Sequence, residues 1–333
     1  MTTICLSMIV KDEEHVIVEC LHNLLCKITI NYIIICDTGS TDNTIQVIVN
    51  YLKDKNIQGK IIKSNWVDFA YNRNEAFNYA KGKADYSMFF DADDLIVGNI
   101  NLPIELKEDC YFFQIGTDCK YSRPFLVNNK KEFKWNGVIH EFLNWTPDCC
   151  VITHTGDYYI DSRRIGARNK NPDKYYNDAK IIEEEMKKIN NDNYLYGRYC
   201  YYCAQSYKDY YNLKKELSIK NKAIEYYNKT LNSNAWDQEK YVACLYLWYC
   251  TFDLNSLLMS MNYDTERIEC IVILLEYYFK TGNIYNANKI YHEYKNYKIH
   301  SLEYKLFTEQ IYYNYNMEYI YSKYLLLSNN KNK

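Results

Sequence analysis

The sequence predicts two domains, a mixed α/β sheet domain at residues 1–160 followed by an all-α domain of helical repeats at residues 161–333. In the first hundred residues, short apolar runs alternate with segments of helical periodicity. The runs recur about every 25 to 30 residues, which is typical of a mostly parallel sheet with helical crossovers. In the second half, apolar residues recur at helical spacing between polar breaks. A composition that is 48% hydrophobic allows each domain a core.

The sheet elements can be placed in order. The apolar run Ile4–Val10 predicts a buried strand, and an acidic turn leads from it into a helix. Residues 32–36 and 60–63 predict the second and third strands, and Phe69–Ala80 predicts a helix. A fourth strand ends in the apolar residues just before Asp91. Since β-branched residues fill these runs, the strand assignment follows from their propensity as well as their length.

Beyond residue 110 the pattern changes to short apolar runs separated by charged or Asn-rich turns. Residues 111–115, 123–127 and 151–153 predict antiparallel strands and loops. From about Tyr158 the strand signals fade, and residues 178–189 predict a charged helix.

Acidic side chains follow two of the predicted parallel strands. Asp37 follows the second strand, and Asp91, Asp93 and Asp94 follow the fourth. Because the carboxyl ends of parallel strands meet at one edge of a sheet, these acids should face one crevice. Carboxylates this close repel one another, so one of them should shift toward protonation unless a cation binds. The alternative is a solvated acidic turn, and the convergence of Asp37 on the same edge favours the cation.

Composition excludes several function classes. The net charge of −2 gives no case for nucleic acid or an anionic membrane as partner. The 13 cysteines are scattered with no CxxC pair, which indicates reduced thiols in the cytoplasm. Tyr, Asn, Ile and Lys, whose codons are AT-rich, are abundant. If this usage is that of a virus, the compartment would be the host cytoplasm. No membrane span or signal peptide is predicted. No glycine-rich phosphate loop is present, so a metal and cationic side chains must hold any phosphate.

The helical half contains a loose internal recurrence. Residues 223–227 resemble residues 287–291, 64 positions later. This offset is close to twice the tetratricopeptide period of about 34 residues. Polar breaks are predicted near residues 232–234, 262–264 and 281–283. The alternatives are a degenerate tetratricopeptide-like array and an irregular bundle. Its role could be acceptor binding, homo-oligomerisation or support.

The motifs of the first half together resemble those of the family 2 glycosyltransferases, nucleotide-sugar enzymes of the Rossmann-like GT-A fold. The resemblance covers residues 1–160 and depends on the order and spacing of residues 7–14, 37–44, 72–76 and 91–94. Residues 135–141 and 154–156 resemble the subgroup of this family that carries helical repeats behind the transferase domain. One mild departure is Lys11-Asp12, where the subgroup with helical repeats often has Lys-Asn.

The resemblance implies roles for particular residues. Those implied in binding the nucleotide-sugar donor are Glu14, Asp37, Arg73, Asp91 and Asp94. Those implied as ligands of Mn²⁺ or Mg²⁺ are Asp93 and His154. Glu141 is the implied catalytic base, although an acid two or three positions away could serve. His154 could instead contact the diphosphate or be structural, and the basic run at residues 163–170 could clamp a diphosphate or be a solvated connector.

The resemblance therefore implies an inverting, metal-dependent glycosyltransferase. It would move a sugar from a nucleotide diphosphate, UDP by family frequency, to a hydroxyl of a glycan or glycoprotein. One alternative is a helical-repeat scaffold whose transferase domain has lost activity. A sugar-nucleotide nucleotidyltransferase is disfavoured, because it needs a glycine-rich basic loop where residues 11–14 are mostly acidic.

Overall fold

The computed structural model describes residues 2–297, 305–314 and 317–331. The chain divides into two compact units, the first comprising Met1–Gly116 with Ser122–Glu185 and the second Thr117–Tyr121 with Met186–Lys333. Residues 161–185, which the sequence prediction assigned to the helical domain, thus group with the first unit. The functional division at residue 160 stays a prediction.

The first unit alternates strands and helices before it becomes strand-rich. Its strands are β1 (Ile4–Val10), β2 (Tyr32–Asp37), β3 (Gly59–Lys63), β4 (Tyr86–Phe89), β5 (Asp94–Asn99), β6 (Cys110–Ile115), β7 (Cys119–Asn128), β8 (Phe133–Asn136), β9 (Phe142–Trp145), β10 (Val151–His154) and β11 (Asp157–Ser162). Its helices are α1 (Ile17–Lys27), α2 (Thr44–Asp54), α3 (Phe69–Ala80) and α4 (Lys174–Met186). A short 3₁₀ helix occupies Ala167–Lys170.

The sheet is mixed, with the strand order β3-β2-β1-β4-β7-β6-β11-β5. Strands β1 to β4 pair in parallel, and the register places Val10 opposite Asp37 and Ser7 opposite Phe89. Strand β7 is antiparallel to β4, and β11 is antiparallel to β5. Strands β8 and β9 form a separate antiparallel hairpin. The predicted mixed α/β sheet, with helices after it, is confirmed.

Helix α3 connects the sheet to the strand-rich part. The Asp68 carboxylate accepts a hydrogen bond from the Tyr71 backbone N–H at 2.7 Å, and this N-cap fixes where the helix begins. One face of the helix packs on the core of β1 and β2. The Phe77 ring meets Phe89 edge-on, and Phe89 meets Trp135 in the same way. The helix is therefore held between the sheet and β8.

Two sequence predictions about the strand-rich part are wrong. The strand signal does not end near Tyr158, because Asp157–Ser162 forms β11 with Tyr158 and Ile160 buried. The alternating acids Asp157 and Asp161 hid this strand in the sequence. Residues 151–153, predicted to belong to antiparallel strands, lie in β10, which pairs in parallel with β6. The sequence analysis also did not anticipate β5, which pairs with β11.

Gly98 shows how tightly β5 and β11 approach. Its φ is +82°, and an added Cβ would lie 2.2 Å from the Asp157 carbonyl oxygen. Gly82 has a similar φ of +77° but open space around it. We expect Gly98→Ala to lower the free energy of unfolding by about 2 to 5 kcal/mol, and Gly82→Ala by only about 1 to 2, since both suffer backbone strain but only Gly98 adds a clash. Chemical denaturation of both variants measures the difference, and equal losses would contradict the close approach.

The second unit is mainly helical. Its elements are α5 (Tyr196–Lys214), α6 (Leu217–Leu231), α7 (Asp237–Thr251), α8 (Leu254–Ser260), α9 (Glu269–Lys280), α10 (Ile284–Tyr294), β12 (Thr308–Glu309) and α11 (Met317–Lys331). The three predicted polar breaks are confirmed, since the chain leaves helical conformation near residues 232–234, 262–264 and 281–283. Consecutive helices from α5 to α10 pack on one another, with Ala223 and Ala287 buried. A tetratricopeptide period stays a prediction.

The centre of the second unit is polar as well as aromatic. Arg267 is 2% exposed, donates to Glu269 at 2.6 Å and to Gln238 at 2.9 Å, and lies over the Tyr241 ring. Tyr313 donates to Glu269 at 2.6 Å. Such a fully paired buried ion network favours one arrangement of helices, since removing either partner would leave a buried charge. Among the helices in the described residues, none combines the length and apolar character that crossing a membrane requires.

Candidate active site

The loops after β1 and β2 are fastened to each other. The Asp12 backbone N–H donates to Ser40 Oγ at 3.0 Å, and Thr41 N–H donates to the Asp12 carboxylate at 2.6 Å. Asp37 is 3% exposed and accepts a hydrogen bond from Ser40 N–H at 3.1 Å. The turn holds Asp37 at the carboxyl end of β2, where the sequence analysis placed it.

Glu14, implied as a donor-binding residue, has a structural contact. Its carboxylate accepts a hydrogen bond from the Asn43 N–H at 2.8 Å, immediately before α2. The Glu14 side chain is exposed. The carboxylate of its neighbour Glu13, by contrast, lies near that of Asp93. A direct role of Glu14 in donor binding stays a prediction.

Arg73 joins two of the predicted site carboxylates. Its Nη2 donates to Asp91 Oδ1 and its Nε donates to Glu141 Oε1, both at 2.6 Å. The guanidinium is 10% exposed and lies over the Trp135 ring. Asn74, the next residue on α3, exchanges two hydrogen bonds of 2.8 Å with the Trp135 backbone. Helix α3 therefore holds β8 and the loop after it in the position that lets Glu141 reach Arg73.

Glu141 lies in a turn rather than on a strand. Residues 137–141 connect β8 to β9, with Gly137 at φ +100° and His140 at φ +52°. The Phe69 N–H also donates to the Val138 carbonyl at 3.2 Å, which fastens the turn to the start of α3.

Arg123 is a site residue that the sequence analysis missed. It extends from β7, and its Nη2 lies 3.5 Å from an Asp91 oxygen and 3.3 Å from an Asp94 oxygen. Burial alone would raise the pKa of Asp91, but Arg73 and Arg123 hold that pKa down to about 2. The only sequence signal was an arginine beside an apolar run, and it could not show that β7 lies next to β4.

Asp94 is a carboxyl of the acid cluster whose pKa is raised. It is fully buried at the start of β5. Burial, with the added repulsion of Asp91 and Asp93, raises its pKa to about 7. The direction of this pKa shift is the one that the sequence analysis expected for one clustered carboxyl, but its largest cause is burial and not repulsion.

The raised pKa of Asp94 predicts a pH-dependent stability. The unfolded carboxyl loses its proton near pH 4, whereas the folded one keeps it to about pH 7. Folding therefore binds a proton in that window, and stability falls as pH rises through it. We expect Asp94→Asn, measured with EDTA present, to gain about 1 to 3 kcal/mol over the native protein on going from pH 5 to pH 8. Asp157→Asn, at the exposed end of β11, is the control, and a gain independent of pH would contradict the assignment.

Asp93 and Glu13 form the second part of the acid cluster. The Asp93 Oδ2 accepts a hydrogen bond from Gly166 N–H at 2.9 Å, and the Glu13 Oε1 accepts one from Ala167 N–H at 3.1 Å. Burial, with the nearby Asp93 charge, raises the pKa of Glu13 to about 7. The second oxygen of Glu13, Oε2, is buried with no hydrogen-bond partner among the described residues.

His154 is not brought to these carboxylates. It ends β10, opposite Phe113, and its ring lies against Phe113 and Tyr158. The register pairs Ser162, at the far end of β11, with Asp94. Strand β11 therefore separates His154 from the acid cluster, and burial lowers the pKa of its imidazole. In this structure the histidine packs among aromatic rings, and its implied role as a metal ligand beside Asp93 stays a prediction.

The acid cluster offers oxygen ligands for a divalent cation. Within the described ranges, no three His, Cys, Asp or Glu side chains are grouped so as to hold a metal ion. Mn²⁺ and Mg²⁺ in phosphate-transfer sites, however, commonly take one or two protein carboxylates together with substrate phosphate oxygens. Asp93 and Glu13 supply that donor set, and the unpartnered Glu13 Oε2 is an acceptor that a cation would satisfy. The residues fit a cation shared with a diphosphate.

Comparisons with known proteins support the residue analysis in the first unit. Residues 5–102 match the family model described as glycosyl transferase family 2. This range contains Asp37, Arg73 and the acids at residues 91–94. No curated protein is detectably similar to the chain.

Several solved structures share a partial likeness of shape. TarS 1–349 of S. aureus in complex with UDP-GlcNAc is 14% identical, with 78% of this chain and 91% of that chain covered and a TM-score of 0.37. The mannosyltransferase PcManGT of Pyrobaculum calidifontis, in complex with GDP-Man and Mn²⁺, is 18% identical over 28% of each chain, with a TM-score of 0.26. GalNAc-T7 with UDP, GalNAc and Mn²⁺ is 13% identical over 44% of this chain and 30% of that one, with a TM-score of 0.30. The chain thus spans under a third of the length of the last two.

Proposed function

We propose that the chain is an inverting glycosyltransferase that moves a sugar from a nucleotide diphosphate donor, UDP in the first instance, to a hydroxyl of a glycan or glycoprotein. The observation that carries the proposal is the Arg73 bridge between Asp91 and Glu141, two carboxylates 50 residues apart in sequence. A transferase needs a donor-binding acid and a base next to each other, and the family model match covers the donor side.

The spacing of the acids suits a nucleoside diphosphate. Asp37 ends β2 and Asp91 follows β4, and β1 lies between these two strands. Neighbouring strands lie about 4.8 Å apart, so the two acids stand roughly 10 Å apart across the edge of the sheet. We assign Asp37 and Asp91 to contacts with the nucleobase and ribose of the donor. The diphosphate would lie near Asp93. Asp94, buried beneath them, supports the cluster.

Asp93 and Glu13 would hold Mn²⁺ or Mg²⁺. When bound, the cation would offset the negative charge that develops on the departing diphosphate. The chain's own contribution is to hold two carboxylates together at the strand ends. His154 is not included in this assignment.

Glu141 is assigned as the base. Its oxygen would take the proton of the acceptor hydroxyl as that oxygen forms a bond to the anomeric carbon and the bond from this carbon to the diphosphate breaks. Attack from the face opposite the leaving group inverts the configuration. The two hydrogen bonds of Arg73, one to each acid, fix the Glu141 carboxylate relative to Asp91.

A thermal-shift panel tests the proposal. UDP-, GDP- and dTDP-sugars are each added with Mn²⁺ and with EDTA. A ligand that binds only the folded state raises the melting temperature. At a concentration of a hundred times its Kd, it adds about 2.7 kcal/mol to the free energy of unfolding. We expect one nucleotide to give a shift that EDTA removes. No shift with any donor would overturn the enzyme assignment and favour the alternative of a helical-repeat scaffold.

A further inference from the structure

Residues 164–170, here named the strap, cross directly over the candidate cation carboxylates. The Gly166 N–H donates to Asp93 at 2.9 Å, and the Ala167 N–H donates to Glu13 at 3.1 Å. A Cβ on Gly166 would lie 2.9 Å from Glu13 Oε1 and 3.2 Å from Asp93 Oδ2. A side chain at this position would therefore require the Glu13 carboxylate to shift.

The strap is fastened on both sides of Gly166. The His15 Nε2 lies 3.1 Å from the Ile165 carbonyl oxygen. Arg168 forms an ion pair with Asp178 of α4, and its guanidinium lies over the Phe69 ring. Just before the strap, Arg163 donates to the Asp93 carbonyl at 2.9 Å and pairs with Glu19. Arg163 therefore contacts the acid cluster directly, and the strap begins at the next residue.

The strap also has features of a segment that moves. Arg164 adopts a left-handed conformation, φ +55°, which is strained for a residue other than glycine. Ile165 is 43% exposed. The strap's central contacts are two backbone hydrogen bonds and exposed or half-exposed side chains, not an apolar core. Segments with few buried apolar contacts open at low free-energy cost.

The strap occupies the place where a cation would bind. The Glu13 Oε2 is buried without a partner, so a hydrated ion cannot reach it while the strap lies above. The positive charge of Lys170 also acts on Glu13. The strap thus supplies hydrogen-bond donors and charge that a divalent cation would otherwise supply.

We propose that the strap closes the cation site of the ligand-free protein and must withdraw from Asp93 and Glu13 before Mn²⁺ or Mg²⁺ and the donor diphosphate can bind. The cation and the backbone N–H groups of Gly166 and Ala167 compete for the same carboxylates. This inference rests on the proposed function, since it concerns the cation of that reaction.

Two variants that break one ion pair from opposite sides test the competition. Both Arg168→Gln and Asp178→Asn release the strap from α4, and neither residue contacts Asp93 or Glu13. Isothermal titration with MnCl₂, without nucleotide, should show tighter Mn²⁺ binding in both, by about three- to fivefold, the factor that a partly exposed ion pair of about 1 kcal/mol provides. A general charge effect would instead tighten binding in Arg168→Gln and weaken it in Asp178→Asn. Asp157→Asn, which removes an exposed acid elsewhere, is the matched control.

Hydrogen exchange of the native protein gives an independent readout. Mn²⁺ should speed exchange in the peptide that contains Gly166 and Ala167, because the strap leaves its carboxylate acceptors. Slower exchange, or weaker Mn²⁺ binding in both released variants, would mean that the strap supports the cation, and the proposal would be wrong while the metal assignment stood. Absence of Mn²⁺ binding from all variants would overturn both.

Discussion

Replacement of Glu141 by glutamine is expected to lower kcat by about 10²- to 10⁴-fold, the range that a general base contributes. Glutamine keeps the shape of the side chain and can still contact Arg73 through its carbonyl oxygen, but it cannot accept the hydroxyl proton. Arg73 keeps its hydrogen bond to Asp91, so donor affinity should change little. Steady-state kinetics with saturating donor, together with donor titration, separate the two effects.

Asp68 is the acid to compare with Glu141. It caps α3, burial raises its pKa, and the charge of Glu141 acts on it. Asp68→Asn should reduce stability through the weakened cap, by about 1 kcal/mol, and leave kcat within a few-fold at a temperature where the variant is folded. If Asp68→Asn instead shows the large loss while Glu141→Gln keeps full activity, the base is Asp68.

Asp93→Asn is expected to lower the affinity for UDP in the presence of Mn²⁺ by about 100-fold or more. Mutating a residue that only supports a metal-ligating side chain typically costs about 10- to 100-fold in metal affinity, and the loss of the ligating carboxylate itself should cost more. The fold should survive, because the asparagine carbonyl oxygen can still accept the hydrogen bond from Gly166. Calorimetric titration of UDP with Mn²⁺ and with EDTA measures the effect. In EDTA the variant and native protein should bind UDP alike.

Asp161→Asn is the control for Asp93→Asn. This acid lies on β11, opposite Leu95, and is half-buried. It should leave the metal-dependent part of UDP binding unchanged. Unchanged UDP affinity in Asp93→Asn with Mn²⁺ present would remove Asp93 from the cation site.

The sequence was most informative where one apolar run makes one strand. Strands β1, β2 and β3 and helix α3 lie where the sequence predicted them, because each run is bounded by a polar turn that stops it. Strand β11 was missed because Asp157 and Asp161 alternate with its buried residues. Its burial comes from pairing with β5 and β6, which no local pattern shows.

The candidate site was predictable only in part, for the same reason. Asp37, Asp91 and Asp93 follow strands, so topology alone brings them to one edge. Arg123 and Glu13 reach the cluster through contacts between segments far apart in sequence. The aromatic surroundings of His154 were not foreseen, because a histidine after a short strand does not show how much strand still follows it.

Because β5 pairs with β11, this part of the sheet cannot be completed during translation until β11 has been synthesised. Asp94 leaves the ribosome 68 residues before its partner Ser162. At about 5 to 20 residues per second, translation takes roughly 3 to 14 s to make the second strand. During that interval the nascent acid edge stands open to the solvent, with neither β11 nor the arginine-rich segment after it yet made. The candidate site is thus completed only after the parallel strands have emerged.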